Sequence, residues 1–192
     1  HTLGSMHQQG LVHGDIKPAN FFYNDNGTVY LGGFGLSFID NDLLQHPRLP
    51  VAGGTLAYMS PEHTSRSAHP VSRVSDLYSL GIVLYELLTG RLPYGSAEGR
   101  HAEWVHHHIA SEALPPHLIR PDVPLILSSI ILRLLAKSPE YRYQTAEGVL
   151  ADLGRCAATL MPGGMIASFT LGLQDSQPAD YSPDSLCTDH PQ

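Results

Sequence analysis

The stretch HGDIKPANFFYNDNGTVYLGGFGLSF, residues 13–38, decides how this chain reads. Its first eight residues set a carboxylate (Asp15), an ammonium (Lys17) and an amide (Asn20) on one loop at D-x-K-x-x-N spacing. FFYN and TVYL follow as short aromatic and β-branched runs. The DNG between them is a hairpin signal, because Asn26 and Gly27 tolerate positive φ. Two short strands are therefore predicted directly after a loop that carries three reactive side chains.

Outward from this stretch, composition bounds the rest. The 192 residues are 42% hydrophobic and only 15% charged, which is globular and lacks the charge density of disordered chains. A net charge of -7 with no basic run argues against nucleic acid and anionic membranes as partners. Cys156 and Cys187 form no C-x-x-C pair, so a reducing cytoplasm is the expected compartment. The apolar run from Val123 to Ser138 is broken by Ser128, Ser129 and Arg133 and falls short of the ~20 apolar residues that span a bilayer, so no membrane span is expected. The opening HTLGSMHQQG has neither an apolar signal region nor a methionine and reads as the interior of a longer chain.

Helical periodicity is strongest at SDLYSLGIVLYELLTG, with Ser75 as a cap, Leu77, Leu80, Leu84, Leu87 and Leu88 in helical register, and Gly90 as a stop. Ile82 and Val83 fill its other side, so this helix is expected to be buried nearly all round. Further helices are predicted near 97–110, 124–136 and 145–160. Residues 35–75, rich in glycine, proline, serine and histidine, read as a long functional loop. Trp104 and Ile109 read as core packing. His106, His107 and His108 are consecutive, about 100° apart on a helix, and His63 and His69 sit in a loop without cysteines, so no metal site is expected from the histidines.

The first loop has a specific chemical sense. Phosphoryl transfer needs a carboxylate to take a hydroxyl proton, a cation to spread charge and an oxygen ligand for Mg²⁺, and Asp15, Lys17 and Asn20 supply one of each. HGDIKPAN resembles the catalytic loop of eukaryotic-type protein kinases, in its serine/threonine version. The remaining motifs of that family follow in order. His13 opens the loop. GFG, with Phe34 and Gly35, lies where the family has its Asp-Phe-Gly metal motif, so Gly33 stands in place of the metal-binding aspartate. GTLAYMSPE resembles the end of the activation segment, with Thr55 at the substrate site. Asp76 would brace the catalytic loop, and Arg142 would pair with Glu62. The resemblance implies ATP and Mg²⁺ as cofactors, Asp15 and Lys17 as catalytic residues, Asn20 as cofactor and metal ligand, and a protein substrate.

A narrower resemblance is to the kinase-like N-terminal domain of multidomain sensor histidine kinases, carried by WVHHHIA, RLLAKSPEYRYQTAEGVLADLGRC and FTLGLQDSQPADYS. It implies downstream ATPase-like and histidine kinase modules as partner domains. Three departures shape the expectation. No glycine-rich loop, strand lysine or partner glutamate is found, Gly33 offers no metal ligand, and Gly14 replaces an arginine that answers loop phosphorylation. The expected fold is mainly α, a kinase-like C-lobe over residues 1–160 with a short β-hairpin at the active site and the N-lobe absent. Residues 161–192 are expected to be a partly disordered tail or linker. The expected function is an ATP-dependent serine/threonine kinase domain, truncated and impaired, with a pseudokinase docking or regulatory module as the alternative.

Overall fold

The computed structural model describes residues 1–39, 55–64, 66–95, 101–161 and 164–175. Helix α1 (Thr2–Gln8) runs into strand β1 (Leu11–Val12). The hairpin expected from DNG forms: β2 (Phe21–Tyr23) pairs antiparallel with β3 (Val29–Leu31), with Phe22 opposite Tyr30. Its turn is held by the Asn24 Oδ1, which accepts from the amides of Asn26 and Thr28 at 3.1 and 3.0 Å. Of the two turn residues only Gly27 takes a positive φ, 75°. Strand β4 (Phe38–Ile39) returns to pair with β1, Leu11 opposite Ile39.

The expected mainly α, C-lobe-only bundle with the N-lobe absent is thereby corrected. Two antiparallel sheets between residues 11 and 39 form a β-strand region between α1 and the later helices, and the fold has both a strand part and a helical part.

Helix α2 (Arg73–Thr89) is the centre of the helical part. Its cap is Ser72 rather than Ser75: the Ser72 Oγ accepts from the Val74 amide at 3.3 Å, and Ser75 answers by accepting from the Ser72 amide at 3.1 Å. Gly90 ends it in the left-handed region at φ 73°. The helix is buried over its first three turns, but Leu87 is exposed, so the expectation of burial all round fails at its C-terminal end. Helices α3 (His101–Ala110), α4 (Pro116–Ile119), α5 (Leu125–Leu134) and α6 (Ala146–Ala158) follow. The predicted start of α3 at residue 97 lies outside the described residues.

Two apolar clusters share α2. Leu77 packs with Ile130, Leu134 and Val149 on one side, and Tyr78, Ile82 and Tyr85 pack with Trp104 and Ile131 on the other. Gly81 lets α2 and α5 approach closely: a Cβ there would lie 2.7 Å from that of Leu134. Ile109, expected in the core, is exposed on α3. Residues 164–175 fold back on the first cluster, where Ile166, Phe169 and Leu171 pack. Asp175 ends that return by accepting from the amides of Gln144 and Thr145 at 2.7 and 3.0 Å, at the N-terminus of α6. Among the described residues no helix is long and apolar enough to cross a membrane.

Candidate active site

The loop after β1 hangs from α2 by one carboxylate. Asp76, 1% exposed, accepts from the backbone amides of His13 (2.8 Å) and Gly14 (2.9 Å), and from the His7 Nε2 at 2.9 Å. Three donors converging on a buried carboxylate keep it satisfied and fix the loop's entry to the centre of the fold. Gly14 is where the chain turns, at φ 75°, and a Cβ there would lie 3.0 Å from the Leu36 carbonyl oxygen. The arginine that the resemblance would place at 14 is thus disfavoured by the backbone itself.

His13 is fully buried and sets the next residue. Its Nε2 donates to the Gly32 carbonyl at 2.9 Å, since a carbonyl can only accept. The neutral ring then offers Nδ1 to the Asp15 amide, at 3.2 Å. The Phe34 ring lies 5.3 Å from the His13 ring, and the Ser37 hydroxyl donates to the His13 carbonyl, so the segment after β3 and the loop hold each other.

Asp15, Lys17, Asn20 and Thr55 come together. The Lys17 ammonium lies 2.7 Å from Asp15 Oδ2 and donates to the Thr55 hydroxyl at 3.1 Å. The Asn20 amide donates to the Asp15 carbonyl (2.6 Å) and to its Oδ2 (3.2 Å). The three residues of the D-x-K-x-x-N spacing therefore point to one place, because a turn of 3₁₀ helix at Pro18–Asn20 brings Asn20 back toward Asp15.

Gly33 adopts φ 82°, and a Cβ there would fall 2.3–2.5 Å from the side-chain amide atoms of Asn20. The Asn20 amide fills the room that a side chain at 33 would need. Its Oδ1 is thus the protein oxygen available at this point, beside the Asp15 carboxylate. Magnesium takes few protein oxygens and completes its shell with phosphate and water; toward such a group Asn20 offers an amide Oδ1 and Gly33 offers no ligand. Among the described residues no group of three histidine, cysteine, aspartate or glutamate side chains gathers elsewhere to hold a metal.

Glu62 and Arg142 meet in the interior, Oε1 to Nη2 at 2.7 Å and Oε2 to Nη1 at 2.9 Å. Ser75 donates to Glu62 at 2.8 Å, and Arg142 also donates to the carbonyls of Ala136 and Lys137. Burial alone would raise the Glu62 pKa, yet the Arg142 hydrogen bonds and charge bring it below its ordinary value. This pair ties the segment after Thr55 to the loop before α6.

Two residues here have no signal in the sequence. His7 is one of twelve histidines, and only the fold, which brings it to Asp76 across 69 positions, gives it a partner. His108, set among Tyr78, Tyr94 and Trp104, reaches the Leu56 carbonyl at 2.8 Å.

Comparisons with known proteins agree on one family. Residues 1–152 match the model of the protein kinase domain. The serine/threonine-protein kinase PknB of Mycolicibacterium smegmatis is 38% identical over 159 residues, covering 80% of this chain and 24% of that protein. A probable serine/threonine-protein kinase of Clostridium acetobutylicum is 36% identical over 152 residues, 79% of this chain and 22% of that protein. Hybrid signal transduction histidine kinase G of Dictyostelium discoideum is 52% identical over 101 residues, covering 52% of this chain and 3% of that protein. The chain thus spans about a quarter or less of the length of these relatives.

These matches overturn the expectations of a lobe-missing fragment, an impaired enzyme and a pseudokinase docking module. Identity to serine/threonine kinases extends over about 80% of the chain, and the kinase model matches residues 1–152, which supports a catalytic kinase domain. The serine/threonine kinase matches cover about 80% of the chain at 36–38% identity, and the histidine kinase match covers 52% of it at 52% identity. The chain belongs to the protein kinase domain family.

Proposed function

We propose that this domain transfers the γ-phosphoryl group of ATP to a serine or threonine hydroxyl of a protein substrate. The observation that carries this reading is the convergence of Asp15, Lys17, Asn20 and Thr55 on a loop whose backbone is fixed by Asp76. The substrate oxygen forms its bond to the γ-phosphorus as the bond to the bridging oxygen breaks, and ADP leaves. Oδ2 of Asp15 is engaged by Lys17 and Asn20, which leaves Oδ1 to receive the hydroxyl proton. Lys17, between Asp15 and Thr55, spreads the charge that builds on the transferring group and orients the acceptor beside Thr55. Magnesium bound with ATP would neutralise phosphate charge, with the Asn20 Oδ1 as its protein ligand. Phe34 and Gly35 shape the segment after β3, while His13, Glu62, Asp76 and Arg142 hold the frame.

The identity with part of a hybrid histidine kinase supports a place in a multidomain signalling protein, with a histidine kinase module as a neighbour. A cytoplasmic setting fits the free, buried thiol of Cys156. The test is incorporation of radiolabelled γ-phosphate from Mg·ATP into a protein or peptide substrate by the full chain, followed by phosphoamino-acid analysis. Phosphoserine or phosphothreonine supports the reading. Label confined to tyrosine, or no label above an Asp15→Asn control, overturns it.

A further inference from the structure

Within the kinase reading above, we propose that His108 of α3 is a positioning residue for the substrate-facing turn, setting Thr55 where Lys17 meets it. The 3₁₀ turn Leu56–Tyr58 directly follows Thr55. It is held at two points. Tyr58 donates its hydroxyl to Glu86 on α2 at 2.6 Å, and the Leu56 carbonyl accepts from the His108 Nε2 at 2.8 Å. On the other side, Thr55 itself is met by Lys17 at 3.1 Å.

The His108 ring has one way to sit. A carbonyl can only accept, so Nε2 carries the proton, and the neutral ring's Nδ1 accepts from the Tyr78 hydroxyl at 3.1 Å. Trp104 stacks on the ring at 6.0 Å between centroids, and Tyr94 meets it edge-on at 5.6 Å. The residue is 1% exposed. A ring fixed by an oriented hydroxyl and two aromatic neighbours delivers its N–H to one point, and that point is the carbonyl one peptide beyond Thr55. Burial pushes the His108 pKa down to about 4, so the ring is neutral at neutral pH. Loss of the N–H frees the Leu56 carbonyl and lets Thr55 drift from Lys17, while Asp15, Asn20 and their hold on nucleotide are untouched.

The test compares the full chain with its His108→Phe and His108→Gln variants. Phenylalanine keeps the aromatic packing but donates nothing, whereas glutamine can present an amide N–H near the same position. The expected result is a rise of about tenfold in the KM for peptide substrate in His108→Phe, an unchanged KM for ATP, and recovery of most of the effect in His108→Gln. Equal peptide KM values in all three, or a joint rise in both KM values that glutamine does not relieve, overturns the proposal. Hydrogen exchange at the Tyr58 and Met59 amides reads the same contact without catalysis. Faster exchange there in His108→Phe, with α2 unchanged, supports the proposal, and unchanged exchange overturns it. An inactive wild-type chain would end the kinase reading while leaving this second measurement decisive for the contact. Should His108→Phe not fold, Tyr78→Phe removes the hydroxyl that sets the tautomer, and the same pattern is expected at smaller size, with no change at Tyr58 and Met59 counting against the proposal.

Discussion

Glu62 and Arg142, eighty positions apart, form two parallel hydrogen bonds of 2.7 and 2.9 Å with neither side chain more than 1% exposed. Such a pair adds little against an apolar substitute but leaves a large deficit when one partner goes. Glu62→Ala strands the Arg142 guanidinium and the Ser75 hydroxyl in the interior. The expected cost is about 3–5 kcal/mol, measured by urea denaturation. A loss below about 1 kcal/mol would show that the interior relaxes around the arginine.

Acid should destabilise the domain in two overlapping steps. Burial, outweighing the Leu56 hydrogen bond, lowers the His108 pKa from 6.5 to about 4. The unfolded chain therefore takes up a proton first, and stability present above pH 6.5 drains away as the pH falls toward 4, by about 3 kcal/mol in all. Glu62, whose burial is outweighed by Arg142, is held below its ordinary 4.5, so its contribution is present above that value and lost below it as the folded carboxylate protonates. Unfolding free energies between pH 8 and 4 should decline through this range, and His108→Gln should flatten the upper part. A flat profile in the wild type over this range would contradict the His108 assignment.

How much of this was readable beforehand depended on how local the physics is. The hairpin at β2 and β3 is legible because DNG forces a turn, and the end of α2 because Gly90 alone can cap it. Ser72 and Ser75 are interchangeable on paper, since both belong to one capping box, and the residue three positions earlier proves to be the cap. The convergence of Asp15, Lys17 and Asn20 follows from short spacing on one loop. His7, His108 and Asp175 are different, because their partners lie 69, 52 and about 30 positions away and nothing in their own neighbourhoods marks them. The strands at 38–39 and 11–12 escaped notice for the same reason, each being two residues long and paired only with the other.

Gly33 occupies a left-handed backbone position with the Asn20 amide against it. Gly33→Ala therefore carries both a backbone penalty and a collision, and it should lower stability by about 1–2 kcal/mol or more. It should also displace Asn20, which would appear as a raised KM for Mg·ATP. Differential scanning fluorimetry with and without Mg·ATP checks both. An alanine variant as stable as wild type, with unchanged nucleotide response, would mean that Asn20 has room to move.

Asp76 should matter to both folding and rate. Asp76→Asn keeps the size but removes a charge that accepts from His7, His13 and Gly14. The expected outcome is a loss of about 1.5–3 kcal/mol and a kcat lower by tenfold or more, since the loop's entry loosens. Fast exchange at the His13 and Gly14 amides would accompany it. Full activity in this variant would show that Asp76 does not set the loop.

Transfer of γ-phosphate from ATP by the full chain, compared with its Asp15→Asn variant, tests the central claim most directly. The geometry predicts label on serine or threonine in the wild type and a fall of about 10²–10⁴ in kcat for the variant, with the KM for ATP little changed. Equal rates in the two proteins, or no transfer by either, would contradict the assignment of this loop as the catalytic centre.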